Sequence, residues 1–240
     1  MDGEAMQAMF DQPSEPSTAY KAPFKDIDTK DKFYTDALTY WSSIPPTVDG
    51  MLGGLEYITK TDVSGSTVFL TEVMNSEQIG RSRVLDCGAG IGRVTKNLLL
   101  PLFDIVDLLE VNPKFLAEAP AYIGAEKDRV GEYICKGMQD FTPSHTYDVI
   151  WCQWVVGHLT DRHLSEFLQR CKKALNKNGI ICIKDNVANY GLFDKTDSSL
   201  MRSLKETKEV IEDAGLTIIK EEMQQGFPPD IYDVPMLAFR

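Results

Sequence analysis

Apolar and polar positions follow two periods along the chain, one typical of strands and one typical of helices. From residue 83 onward, short apolar runs alternate with amphipathic segments of about 10 to 15 residues, a pattern that indicates βαβ units. The strand candidates are RVLDCG, IVDLLEVN, VGEYICKGMQDF, TYDVIWCQWVVGHL and GIICIKDN. The helix candidates are GRVTKNLLLPLF, PKFLAEAPAYIG, TDRHLSEFLQRCKKAL (begun by Thr160 or Asp161 and ended by NKNG) and SLMRSLKETKEVIEDAG. The predicted fold class is therefore α/β, a parallel sheet with helices on both faces.

The two ends of the chain depart from this alternation. LTIIKEEMQQG and IYDVPMLAF resemble two strands of an antiparallel hairpin at one end of the sheet. Near the N-terminus, DKFYTDALTYW and TDVSGSTVFLTEVM have helical spacing, and SSIPPTVDGMLGG between them predicts a structured loop. Residues 1–28 are polar and lack a period, which predicts a disordered tail. We expect a tail over 1–28, a helical extension or lid over 29–80 and the α/β core over 81–240.

Composition narrows the possible partners. The 240 residues carry a formal charge of −11, which disfavours nucleic acid as a partner. Five cysteines without close pairing, within apolar segments, predict reduced core thiols in an intracellular protein. No apolar run reaches membrane-spanning length, so no membrane partner is expected.

The segment LDCGAGIGRVTK, residues 85–96, places three glycines between a strand and a helix. Missing side chains let a ligand approach the backbone there, and the helix N-terminus offers free N–H groups. A tight turn without a ligand is the alternative, which three alternate glycines make a poor explanation.

The spacing of the turn selects among nucleotide ligands. The motif is G-x-G-x-G, which lacks the G-x-G-x-x-G spacing of dinucleotide sites, and Asp86 before it would repel a phosphate. Glu110, at the end of the next strand, is placed to accept hydrogen bonds from two ribose hydroxyls. A cationic nucleoside without phosphates fits this combination, and S-adenosyl-L-methionine is such a molecule. The stretch resembles motif I of the class I (Rossmann-like) methyltransferases, which implies a seven-stranded sheet ending in the antiparallel hairpin.

Further cofactor contacts are expected beside the turn. Met138 and Gln139 follow the third strand, where this class contacts adenine, although they could equally form an ordinary loop. Arg93 could pair with the carboxylate of the methionine part; its alternative is a solvated arginine in the first helical turn. The predicted cofactor set is Gly88, Gly90, Arg93, Glu110, Val111, Asn112, Met138, Gln139 and Gln153.

Polar clusters after the fourth and fifth strands are candidates for the methyl acceptor site. WCQWVVGHLTD carries His158, IKDN carries Asp185 and Asn186, and LFDKTDSS carries three more candidates, Asp194, Asp197 and Ser199. Each has a structural alternative: a loop histidine for His158, a turn or helix cap for Asp185, and the N-cap of the next helix for Asp197 or Ser198. Several acids on one side favour a cationic substrate. Deprotonating an amine near neutral pH needs only a modest base and no metal.

The segments YWSSIPPTVDGMLGG, LDCGAGIGRVTKNLLLPLF, QDFTP, YDVIWCQWVVGHLTD, NGIICIKDN, DSS and IYDVPMLAF resemble the protein α-N-terminal methyltransferases, from about residue 31 to 240. The resemblance implies methylation, up to three times, of the α-amine of proteins beginning Xaa-Pro-Lys or Xaa-Pro-Arg after removal of Met, with S-adenosyl-L-homocysteine as product. It implies His158 and Asp197 as bases and Asn186 as a contact to the first residue. It further implies a proline pocket and a site for the third residue, formed by Trp41, Leu52, Ile58, Trp154, Ile231 and Tyr232 and by Asp194, Asp197 and Ser199; Asp185 belongs to the same predicted substrate set.

Two departures from the family pattern and two alternatives accompany this hypothesis. Glu110 stands where the family is expected to have Asp, and the chain from Asn186 to Asp197 is about one residue short, which bears on the position of Asp194. The alternatives are a small-molecule methyltransferase on the same fold and a non-catalytic subunit that binds the cofactor. From the family we also expect a location in nucleus and cytoplasm; a monomer is expected.

Overall fold

The computed structural model describes residues 31–240, and the tail predicted over 1–28 lies outside them. Seven strands form one sheet: β1 (Arg83–Cys87), β2 (Ile105–Glu110), β3 (Val130–Cys135), β4 (Tyr147–Gln153), β5 (Leu175–Lys184), β8 (Ile218–Met223) and β9 (Pro235–Phe239). A separate hairpin contains β6 (Leu192–Asp194) and β7 (Ser199–Met201). The order of strands in the sheet is β3-β2-β1-β4-β5-β9-β8. Strands β1 to β5 of the sheet pair in parallel. The two last strands are antiparallel, with β9 between β5 and β8, which confirms the predicted class I sheet.

Helices cover both faces of the sheet, as predicted. The helices are α1 (Asp31–Ser43), α2 (Val48–Met51), α3 (Thr59–Glu77), α4 (Pro113–Ile123), α5 (Asp161–Lys173) and α6 (Leu204–Asp213). Neighbouring residues of a strand enter opposite cores because strand side chains alternate. Val84 packs in one core with α3 and α4, whereas Leu85 packs in the other with α5 and α6.

The helix predicted after the glycines is present and includes a π-helix over Thr95–Leu99. Two other local predictions are wrong. The helix predicted from residue 199 begins at Leu204, because Ser203 and Glu206 form a capping box there. Asp197 and Ser198 therefore do not cap it, and the residues before it form β7. Residues NKNG lie within β5 rather than at the end of α5, which stops at Lys173.

The structure tests the predictions about buried cysteines and about membrane-spanning segments. Cys87, Cys152, Cys171 and Cys182 are buried free thiols, but Cys135 is exposed, so it is not a core thiol as predicted. No helix within residues 31–240 has the length and apolarity needed to cross a membrane.

Candidate active site

The glycine turn lies at the carboxyl end of β1 and has the backbone shape that requires glycine. Gly88, Gly90 and Gly92 have positive φ values of 69°, 56° and 84°. A Cβ on Gly88 would lie 2.5 Å from Val155, and one on Gly90 would lie 2.7 Å from the sulfur of Met51. The turn is therefore overlaid closely by two other segments, and side chains there would fill the space where a ligand approaches the backbone.

Glu110 holds the turn from the end of β2. Its Oε2 accepts a hydrogen bond from the Gly90 N–H at 3.0 Å, and its Oε1 accepts one from the Asn112 N–H at 2.8 Å. Burial raises the pKa of Glu110, an effect that these backbone hydrogen bonds oppose. A carboxylate has about four acceptor positions, so Glu110 can also accept hydrogen bonds from the hydroxyls of a ligand.

A cavity of about 290 Å³ opens over the turn and Glu110. It is lined by eight of the nine predicted cofactor residues, Gly88, Gly90, Arg93, Glu110, Val111, Met138, Gln139 and Gln153. The ninth, Asn112, lies outside the lining; its side chain caps α4 by accepting the Lys114 N–H at 3.0 Å. In this fold the Asn112 side chain therefore acts as a helix N-cap. The glycine cradle and the buried carboxylate fit a ribose-containing ligand.

Arg93 is buried, so it is not the solvated arginine considered as its alternative. Its Nη1 donates to Asp62 Oδ2 at 2.7 Å, both residues are buried, and its guanidinium lies 5.4 Å from the ring centre of Trp154. Asp62 Oδ1 also accepts from Gln153 Nε2 at 2.8 Å. One buried carboxylate on α3 therefore orients two residues of the cofactor cavity.

Lys184 lies beneath this cluster and is fully buried. Its Nζ donates to Asp62 Oδ1 at 2.5 Å, Ser66 Oγ at 2.8 Å and Gln224 Oε1 at 2.7 Å. Burial lowers its pKa, whereas Asp62 raises it. Neither Asp62 nor Lys184 is among the predicted site residues. The available signal was a lysine at the end of the apolar run IICIK, since a buried charge needs a partner.

Asp86 faces the protein interior rather than the cavity. It is buried, and its Oδ2 accepts a hydrogen bond from Thr95 Oγ1 at 2.6 Å. Burial raises its pKa to about 7, an effect that the Thr95 hydroxyl and Arg93 oppose.

We expect Asp86→Asn to change how stability depends on pH. Because the native carboxyl has a raised pKa, its contribution to stability is complete below about pH 4 and is lost as pH rises through about 7. The asparagine side chain does not titrate. The melting temperature of the variant, relative to that of the wild type, should therefore rise by about 2 °C or more between pH 5 and pH 8. Thermal unfolding measures this difference; Asp213→Asn, at an exposed site on α6, is the control. Parallel curves for wild type and Asp86→Asn would contradict the assignment.

A second cavity of about 190 Å³ adjoins the first. Trp41, Met51, Leu52, Trp154 and His158 line both. The second cavity contains every predicted catalytic and substrate residue, namely Trp41, Leu52, Ile58, Trp154, His158, Asp185, Asn186, Asp194, Asp197, Ser199, Ile231 and Tyr232. Tyr40 also lines the second cavity. It was not predicted, because only its neighbour Trp41 was assigned to the pocket.

His158 ends the 3-10 turn Val156–His158 at the junction of the two cavities. Its Nε2 accepts a hydrogen bond from Trp41 Nε1 at 3.0 Å and lies 3.9 Å from Asp197 Oδ2. Because the indole N–H is a donor, we assign the lone pair to Nε2 and the proton of the neutral ring to Nδ1. Burial lowers the pKa of His158, although Asp197 opposes this. A neutral imidazole is a proton acceptor.

Trp154 adopts a strained backbone where β4 ends. Its φ is 52°, uncommon for a bulky residue, and its Nε1 donates to Asn186 Oδ1 at 3.1 Å. Its ring stacks on Phe227 with centres 6.5 Å apart. These contacts hold the indole and the Asn186 amide on the same wall of the second cavity. A strained backbone such as that of Trp154 is typical of functional sites.

Asp185 performs the structural role considered as its alternative. Its Oδ2 accepts from the N–H groups of Val155 and Val156, each at 3.1 Å, and its Oδ1 accepts from the Asn186 N–H at 2.9 Å. Burial raises its pKa to about 6. It borders the second cavity, but its oxygens are used to cap the turn that leads to His158.

The β6–β7 hairpin contributes the other acids. Asp194 Oδ1 accepts the Thr196 N–H at 2.7 Å, and Asp197 is largely buried with a pKa raised by that burial. Ser198, with φ 56°, donates from its hydroxyl to the Phe33 carbonyl of α1 at 3.0 Å. The lining of the second cavity, as the described residues form it, includes acids but no lysine or arginine, so it favours a cation.

Comparisons with known proteins agree with this arrangement. The model of the family described as AdoMet-dependent proline di-methyltransferase matches residues 29–240. The proteins named N-terminal Xaa-Pro-Lys N-methyltransferase 1 of Mus musculus and of Danio rerio are each 51% identical over 218 residues, covering 89% of this chain and 98% of the relative. A solved SAM-dependent methyltransferase from Leishmania major is 39% identical, with a TM-score of 0.82, and the match covers 87% of this chain and 83% of that one.

Proposed function

The chain belongs to the family of AdoMet-dependent proline di-methyltransferases, and from that premise we propose that it methylates the α-amine of protein N-termini beginning Xaa-Pro-Lys or Xaa-Pro-Arg. It is an enzyme that uses S-adenosyl-L-methionine. The observation that carries the substrate proposal is the second cavity, where aromatic walls and carboxylates meet beside a neutral histidine.

The residues that line the first cavity would hold S-adenosyl-L-methionine. Gly88 and Gly90 would admit the ligand to the backbone, Glu110 would accept hydrogen bonds from its ribose hydroxyls, and Met138 and Gln139 would contact its adenine. Arg93, which Asp62 holds in the cavity wall, would pair with its carboxylate. The bound cofactor supplies a methyl group on a positively charged sulfur and becomes S-adenosyl-L-homocysteine.

His158 and Asp197 prepare the acceptor. An α-amine has a pKa of about 7.7–8.0, so much of it is protonated at neutral pH and cannot act as a nucleophile. His158 takes the proton on Nε2 after the Trp41 indole stops donating to that atom, and Asp197, 3.9 Å away, stabilises the resulting imidazolium. Each further methylation of the same nitrogen repeats this proton removal, until no proton is left to remove.

The second cavity recognises the first three residues of the substrate. Trp41, Leu52, Ile58, Trp154, Ile231 and Tyr232 enclose the proline ring, which suits flat apolar walls. Asn186 contacts the first residue. Asp194, Asp197 and Ser199 receive the lysine or arginine at position three, because carboxylates pair with a long cationic side chain. Asp185 supports this site through the backbone.

Three further proposals concern the protein as a whole. A monomer is proposed as the active form. A location in nucleus and cytoplasm rests on the resemblance alone. We propose no nucleic-acid or membrane partner.

Peptide labelling tests the substrate proposal. We expect labelled S-adenosyl-L-methionine to modify a peptide beginning Ser-Pro-Lys, with additions of successive methyl groups by mass. The matched peptides Ser-Ala-Lys and acetyl-Ser-Pro-Lys should remain unlabelled, because the first lacks the proline ring and the second lacks a free amine. Equal labelling of all three peptides, or of none, would refute the proposal.

A further inference from the structure

Arg202 lies just after β7 and is 3% exposed. Its guanidinium donates to three oxygens of the segment that carries His158. Nη1 donates to the Val156 carbonyl at 3.0 Å, Nη2 to the Leu159 carbonyl at 2.6 Å and Nε to Asp161 Oδ1 at 2.8 Å. The turn that places His158 in the site is therefore tied to a single side chain from another part of the chain.

The same turn is held from its other side by Asp185. Asp185 accepts the N–H groups of Val155 and Val156, while Arg202 takes the carbonyls of Val156 and Leu159. The charge of Arg202 also favours the ionised form of Asp185, lowering its pKa against the larger effect of burial. The carboxylate of Asp185 and the guanidinium of Arg202 therefore hold the backbone around His158 from two sides.

The hairpin that precedes Arg202 also carries Asp197. Between the two residues lies β7, which packs so closely on the His158 turn that a Cβ on Gly157 would lie 3.0 Å from the Leu200 carbonyl oxygen. One short stretch of chain therefore sets the position of Asp197 and, through Arg202, the position of His158. These two side chains lie 3.9 Å apart.

We propose that Arg202 is a positioning residue for methyl transfer: its guanidinium fixes the backbone of residues 156–159 so that His158 faces Asp197 at the junction of the cavities. The proposal rests on the proposed function, since it takes His158 as the base. Arginine suits this role because its planar fork binds several oxygens at once, whereas the lysine ammonium is a compact point charge.

Arg202→Met should lower kcat for a Ser-Pro-Lys peptide by about 10- to 100-fold, because a small misplacement of a reacting group can cost about 10²-fold. Arg202→Lys should retain more activity than Arg202→Met. The Kd for S-adenosyl-L-methionine should change less than kcat, because the glycine turn and Glu110 stay in place and only Val155, His158 and Leu159 of the His158 turn line the cofactor cavity.

Arg129→Met is the matched control for loss of stability alone. Arg129 also donates to backbone carbonyls, those of Leu100, Phe103 and Asp104, but near the amino end of β2, at the opposite edge of the sheet. None of these residues lines either cavity. This variant should be less stable than the wild type and keep its kcat.

An NMR titration of the histidine rings gives a readout that needs no turnover. The chain has three histidines, so His158→Asn identifies the signal of His158. In Arg202→Met the loosened turn admits water, and the pKa of His158 should rise towards its ordinary value; in Arg129→Met it should not move. Arg202→Lys provides the same comparison if Arg202→Met does not fold.

The outcomes separate this proposal from the proposed function. A wild-type protein that labels no Ser-Pro-Lys peptide refutes the function, while the titration still tests how Arg202 places His158. Arg202 variants with wild-type kcat and an unmoved His158 titration refute the positioning role. A loss confined to cofactor affinity refutes it as well.

Discussion

His158→Ala lowers kcat for a Ser-Pro-Lys peptide by about 10²- to 10⁴-fold, the range expected when a general base is removed. The neutral imidazole at the junction of the cavities is the group that can take the proton of the α-amine. The Kd for S-adenosyl-L-methionine should change little, because alanine leaves the glycine turn and Glu110 in place. Single-turnover rates and calorimetric binding of the cofactor measure the two quantities.

The control for this substitution is His145→Ala. His145 pairs with Glu132 and lines neither cavity, so its replacement should leave kcat at the wild-type value. In the wild type, kcat should fall at acid pH as His158 becomes protonated, and burial places that fall below the ordinary pKa of histidine. A His158→Ala enzyme that keeps its rate, or that loses only cofactor binding, would exclude His158 as the base.

Glu110→Ala is expected to raise the Kd for S-adenosyl-L-methionine by about 10- to 100-fold. The change removes the acceptor for the ribose hydroxyls, which would be buried on binding without a partner. An unsatisfied buried donor costs about 1–3 kcal/mol, and each 1.4 kcal/mol corresponds to a factor of ten in binding. The N–H groups of Gly90 and Asn112 also lose their acceptor, which lowers the stability of the free protein as well. Calorimetry on the apoprotein measures this Kd.

Glu110→Asp tests the departure from the family pattern. Aspartate keeps the charge but is one methylene shorter, so its Kd should lie between those of the wild type and Glu110→Ala. kcat at saturating cofactor should stay near the wild-type value in both variants, because Glu110 does not line the second cavity. An unchanged Kd in Glu110→Ala would show that the ribose is held elsewhere.

Local sequence patterns predicted the parts of the fold that neighbouring residues determine. The glycine turn and Glu110 belong to one β-turn-helix-β unit, so their spacing along the chain already implies their proximity. The order of strands and helices followed from the apolar periods for the same reason. The acceptor residues depended on the family resemblance, and the structure places them around one cavity.

Predictions failed where a short segment could form either a helix or a strand. Residues 199–201 have the composition of a helix start, but the capping box at Ser203 and pairing with β6 make them a strand. Asp185 and Asn112 are polar residues at the ends of strands, where a ligand contact and a backbone cap have the same sequence signature. Their hydrogen bonds show that each makes a cap, while the substrate role of Asp185 and the cofactor role of Asn112 stay predictions.

By itself, the sequence determined the class of fold, the nucleotide turn and its acidic partner, because these depend on spacing within a few dozen residues. The tertiary structure alone decided which distant side chains support them. Asp62 reaches Lys184 across 122 positions, and Arg202 reaches the His158 turn across more than 40. A local pattern cannot reveal such pairs, because a buried charge is stable only beside a partner that the folded chain brings to it.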